Sequence, residues 1–131
     1  MEKIKTEIIE YLEKEINKLE KHINYYYDIL NKESISFFLQ NSANTLVALN
    51  NRIIILKYIK TDITECITLD TKAKLVAYFQ DKIDELTESL YHNISHNTNP
   101  MFNLINQWIR EDAINIRSHY RSCLNIINKY K

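Results

Sequence analysis

Three groups of residues have the types and spacings that could do chemistry. The first is Asp112 with His119. They are seven apart and share a heptad column with Ile105 and Ile126, beside a second column of Phe102, Ile109, Ile116, Cys123 and Tyr130. A carboxylate and an imidazole buried together on a helix could pass a proton or form half of a metal site. That reading makes the chain an acid–base or metal-dependent enzyme. A geometric reading competes with it. Because 3.6 residues per turn does not divide seven, an apolar seam drifts around a straight helix. Ala113, Tyr120 and Ile127 then take over the core, and Asp112 and His119 fall on its rim. The periodicity favours the drift. Ferritin-like di-metal sites need Glu-x-x-His on paired helices, and the sequence has none.

The second group is Glu88, His92 and His96, at four-residue steps. Such spacing can chelate a metal from one helix face. The stripe Ile83, Leu86, Leu90, Ile94 points roughly the opposite way, so a solvated face is expected and no metal is assigned. The third group is Arg110, Arg117 and Arg121, three of the four arginines. Steps of seven and four keep them on one narrow stripe. Guanidinium groups suit bidentate contacts to carboxylates or phosphates, so the stripe could hold an anion, a nucleic acid or an acidic partner. Pairing with the acidic helix that carries Asp81, Asp84, Glu85 and Glu88 is the plainer expectation. A formal net charge of zero argues against general nucleic-acid binding, which needs a broad basic surface.

Composition removes larger classes. The 131-residue chain contains no glycine. Glycine supplies positive φ and close backbone approach to phosphates. Its absence excludes a P-loop, a GxGxxG fingerprint and a GxSxG elbow. No catalytic residue and no cofactor is therefore assigned. Cys66 and Cys123 form no CxxC or zinc pattern, which suits a reducing compartment. The first residues, MEKIKTEIIE, are charged and amphipathic and do not read as a signal peptide. The long uncharged stretches are rich in Asn, Ser and Thr, so no membrane span is expected. Together these point to a cytoplasmic protein.

The elements that must position these residues are helices. Apolar residues 45% of the time, charged residues 26% and three- and four-residue apolar steps specify long amphipathic rods. The first runs Ile4, Ile8, Leu12, Ile16, Leu19, Ile23, Tyr26, Leu30 and stops near Asn31, a residue suited to a left-handed cap. Ser34 caps a second, with stripe Ile35, Leu39, Ser42, Leu46, Leu49, Ile53, Leu56 and a second stripe of Phe38, Ile54, Ile55 and Ile59. The run Ile53–Leu56 has strand propensity, but helical spacing precedes it without a break. Thr61 to Asp70 reads as a connector, rich in Thr and Ile, with room for one helical turn. Asp70 caps a third helix with core positions Ala73, Val76, Phe79, Ile83, Leu86, Leu90 and Ile94. Pro100 opens a fourth.

The expected fold is all-α: one domain over residues 1–131, a bundle of four long antiparallel helices running up-down-up-down. Net charges of −2, +2, −3 and +3 over residues 1–33, 34–62, 63–97 and 98–131 place opposite signs on sequential neighbours. The second helix, apolar on two faces, and the run Tyr25-Tyr26-Tyr27 leave surface that a packed monomer would not cover. Tyr25, Tyr27, Ile54, Ile55 and Ile59 are thus the candidate interface, because exposed apolar and tyrosine surface marks contact sites. The leading expectation is a non-enzymatic helical interaction module whose partner is another protein or a second copy. A small regulatory or nucleic-acid-associated protein using the Arg stripe is the alternative, and an enzyme using Asp112 and His119 is the third reading.

Overall fold

The computed structural model describes the backbone of residues 1–32, 34–36, 38, 42–94 and 100–130, and the side chains of these residues except 89–94 and 100–111. It contains four long helices: α1, Glu2–Lys32; α2, Ala43–Glu65; α3, Lys72–Ile94; and α4, Pro100–Asn128. Among the described residues there is no strand. The run Ile53–Leu56 is helical, as its flanking periodicity requires. No described residue has a positive φ, so a chain without glycine makes its described turns in right-handed or extended backbone.

The chain forms two compact units, Ile9–Cys66 and Met1–Ile8 with Ile67–Lys131. In the first, α1 buries Leu12, Ile16 and Leu19 along the expected stripe. α2 buries Leu49, Ile53, Leu56, Ile59 and Ile63. Each fully buried Leu or Ile contributes about 1.5–3 kcal/mol. Lys57 pairs with Glu20 at 3.5 Å and Lys60 with Glu13 at 2.9 Å. Here the basic second segment meets the acidic first, with the contacts stepping back along α1 as they advance along α2. All four groups are well exposed, so each pair contributes only a few tenths of a kcal/mol and selects the arrangement more than it stabilises it.

In the other unit α3 packs on α4. Leu75, Phe79 and Ile83 are buried on α3, and Ala113, Ile116, Tyr120, Cys123 and Ile127 on α4. The Phe79 and Tyr120 rings tilt at 48° with centroids 6.4 Å apart. Tyr130 ties the end of α4 in place. Its hydroxyl donates to Glu7 Oε1, and its carbonyl accepts from Lys72 Nζ.

Several boundaries differ from the sequence expectation. α1 runs through Asn31 to Lys32, so Asn31 is a helical residue and not a left-handed cap. Residues 35, 36 and 38 are helical, yet α2 proper starts at Ala43 after Ser42. The Ser42 N–H still bonds Phe38 O at 2.8 Å, four residues back, and the Leu46 N–H bonds Ser42 O at 3.0 Å. Ser34 stands just before these helical residues and its carbonyl accepts the Phe38 N–H at 3.0 Å, but Ile35, expected in the core, is exposed. Leu39 lies outside the described residues. α2 also continues past Thr61 to Glu65, because Ile63 extends the buried stripe by one more turn. It ends when Cys66 turns extended, with its N–H still bonded to Asp62 O at 2.9 Å.

α3 is capped by Thr71, whose Oγ1 accepts from the Lys74 N–H at 3.2 Å, and not by Asp70. Asp70 instead holds Lys74 Nζ at 2.8 Å. The hydrogen bond and charge of Lys74 lower the Asp70 carboxyl below its ordinary value. Leu75, four residues before Phe79 and on the same face, takes the core position expected of Ala73, which is exposed. The residues just before Pro100 lie outside the described residues.

Candidate functional site

The chemically suggestive residues of α4 are placed by its seam. Ala113, Ile116, Tyr120, Cys123 and Ile127 are buried, while Asp112, His119 and Ile126 are each half-buried. Asp112 and His119 are thus not a buried pair. The seam drifts off the strict heptad as a 3.6-residue helix must, and both side chains end at the rim. Burial falls on other groups. It pushes the Cys123 thiol up to about 12. It also pushes the Tyr120 phenol up to about 12, helped by the negative charge of Glu85 and then by Cys123. A thiol held neutral is a poor nucleophile, so Cys123 serves as a small core residue.

Of the arginine stripe, Arg117 is half-buried and donates from Nη1 to Thr87 Oγ1 on α3 at 3.3 Å. Arg121 is exposed. The Arg110 side chain lies outside the description, as do those of His92 and His96. Among the described residues, no three His, Cys, Asp or Glu side chains come together as a metal site. A shallow groove between α1 and α2 is lined by Glu13, Lys57, Lys60 and Glu65 among others. Its mixed charges, three of them already paired, favour neither an anion nor a cation.

The surface that stands out is the outer face of α2. On this helix Leu49, Ile53, Leu56 and Ile63 define the buried side. The positions Asn44, Val47, Asn51, Ile54, Tyr58 and Thr61 recur at alternating steps of three and four, and every one is exposed. At 100° per residue they centre opposite the buried stripe. Val47 and Tyr58 are each 69% exposed and Ile54 46%. α2 is therefore apolar on two opposite sides, whereas a surface helix ordinarily keeps its apolar residues to one stripe. Apart from Lys57, Asp62 and Glu65, the face carries no formal charge between 43 and 65.

The sequence-expected interface divides on this geometry. Ile54 lies on the outer stripe. Ile55 is half-buried at its flank. Ile59 is 2% exposed and so belongs to the core, because it sits one position beyond Tyr58, on the inward turn. Phe38, from the same expected stripe, is also buried. On α1, Tyr25 is 62% and Tyr27 51% exposed, with Tyr26 partly covered and set edge-on to Tyr25 at 5.5 Å. Asn51 and Tyr58 were not among the expected residues. Their signal is the three-four spacing with Val47 and Ile54, which is masked by the stronger inward pattern interleaved with it.

Compared with known proteins, the chain matches no protein-family model, no curated protein and no solved structure. Among the described residues, no helix is long and apolar enough to cross a membrane.

Proposed function

We propose that this protein is a helical protein–protein interaction module of the cytoplasm, and that the outer face of α2 is its contact surface. One observation carries the reading: Val47, Ile54 and Tyr58 stand exposed in a single column opposite the core side of the same helix. Leaving this much apolar side chain in water is unfavourable by about 25 cal/mol per Å². Grouped apolar surface of this kind marks binding sites more often than scattered residues do. Tyr25 and Tyr27 add aromatic surface on the neighbouring helix of the same unit, and tyrosine is enriched at interfaces.

The paired helices, α1 with α2 in one unit and α3 with α4 in the other, are read as antiparallel neighbours. Two features support that arrangement. Lys57 and Lys60 step backward along α1 through Glu20 and Glu13. Lys72 bonds Tyr130 while Thr87 bonds Arg117, which is the order of antiparallel neighbours. The arginine-stripe and Asp112–His119 readings receive less support, since Arg117 already engages α3 and the Asp–His pair is not buried.

The test is a photo-crosslinking residue at position 54, with a control at exposed Lys74, in cells that make the protein. Adducts at position 54 that are absent at position 74 are expected. Equal labelling at both positions, or none at either, overturns the reading.

A further inference from the structure

We infer that the occupant of the outer α2 face is a second copy of this chain, with the two α2 helices parallel and in register. The inference rests on the reading of that face as a contact surface and names its partner. The exposed positions follow a coiled-coil seam. Asn44, Asn51 and Tyr58 fall at a, and Val47, Ile54 and Thr61 at d. Two parallel chains in register would place Val47 on Val47, Ile54 on Ile54 and each Asn on its own equivalent. An Asn at an a position that meets its own equivalent specifies the register of a parallel two-stranded coil at some cost in stability.

The flanks carry the same information. Lys57 takes a g position and Asp62 an e position, five residues on. In a parallel two-stranded coil, g of one chain meets the e five residues later on the other. Lys57 would therefore meet Asp62 of the second copy, and the two-fold axis would repeat the contact. In an antiparallel pair overlapping the whole seam, g meets g and Lys57 would face Asn50, so the Lys57–Asp62 contact between copies would not form. Both groups are exposed, and the Lys57–Glu20 pair within the chain is long, at 3.5 Å, so the ammonium can be shared. The flanks nearer the start are small or uncharged: Ala43, Ala48 and Asn50. The next a position is Glu65, where like charges on the two copies would end the seam. A seam of three apolar layers with two Asn layers makes a reversible dimer, not an obligate one.

The test is sedimentation velocity of the whole chain over a concentration series from low to hundreds of micromolar. Self-association is expected in the wild type. Ile54→Lys, at an exposed position, should abolish it with an unchanged helical spectrum and melting temperature. Lys57→Glu should weaken dimerisation about fivefold, because two attractive flank pairs become repulsive. The double variant Lys57→Glu/Asp62→Lys should recover wild-type affinity to within about twofold. The double variant still lacks the Lys57–Glu20 pair, so recovery isolates the contact between copies. In a Cys66→Ser background, Asn51→Cys should oxidise to a covalent dimer. A strict monomer at every concentration overturns self-association. A dimer that ignores Lys57→Glu, or that fails to cross-link at position 51, overturns the parallel register. A monomer that still gives heterologous adducts at position 54 overturns this inference alone, whereas the absence of any adduct overturns the contact surface itself.

Discussion

α2 and α4 are both long helices that, among the described side chains, bury five residues each along one side, yet they treat the opposite side differently. Among the described side chains of α4 the exposed residues include Asn115, Ser118, Arg121 and Asn125, with Ile114 the one large apolar residue exposed. On α2 the opposite side holds Val47, Ile54 and Tyr58 in one column. An inward stripe stabilises a fold and asks nothing of the outer face except that it be wet. A second apolar column adds nothing to the packing of its own chain. The contrast separates residues that hold the protein together from residues whose burial needs another molecule.

The largest effect that would test this contrast is at Phe79, fully buried on α3 and set against Tyr120. Phe79→Ala should cost about 3–5 kcal/mol in urea unfolding. On α2 itself, Leu56→Ala should cost about 2–5 kcal/mol, whereas Ile54→Ala, two residues away, should change monomer stability by no more than about 0.5 kcal/mol. Comparable losses at 54 and 56 would show that the outer column is not outside the core, and the comparison would collapse.

Alkali should probe the α3–α4 core selectively. Cys123 and Tyr120 are held neutral up to about 12 in the folded protein, against ordinary values of 9.0 and 10.0. Between those limits the unfolded chain loses protons that the folded chain keeps. Stability from these groups is therefore full below pH 9 and falls as pH rises toward 12. Cys123→Ala should flatten the part of that fall that begins near the thiol's ordinary value. The same burial predicts that iodoacetamide labels half-exposed Cys66 well before Cys123 under native conditions, as read by mass spectrometry.

Thr71→Ala removes the side-chain cap of α3 and should cost about 1 kcal/mol. The smallest effect is at the adjacent ion pair. Asp70 is lowered by Lys74 and is fully exposed, so its contribution is present above pH 3.8 and fades as pH falls below that. Lys74→Ala should return the Asp70 titration, followed by NMR, to an ordinary carboxylate value while leaving the melting temperature nearly unchanged.

The helices were legible because their signal is local. The spacing of Ile4, Ile8, Leu12, Ile16 and Leu19 needs no knowledge of the partner to mark one face of a rod. The same held for rejecting a strand at Ile53–Leu56. Boundaries were less legible, because Thr71 and Asp70 both favour caps, and the choice fell to the residue whose oxygen reaches the Lys74 N–H. At the end of α2, burial of Ile63 outweighs the weak helix preference of Thr61 and Thr64.

From its residues alone this chain was committed to helices, to the stripes α1 and α4 bury, and to having no glycine-built phosphate site. Those outcomes depend on periodicity and composition, which travel with the chain. Tertiary structure alone decided that Ile59 turns inward while Tyr58 turns outward. One residue of helix turns a side chain by 100°. Which side is covered is therefore settled only when a neighbour arrives, and on α2 two such sides lie interleaved in the same stretch of sequence.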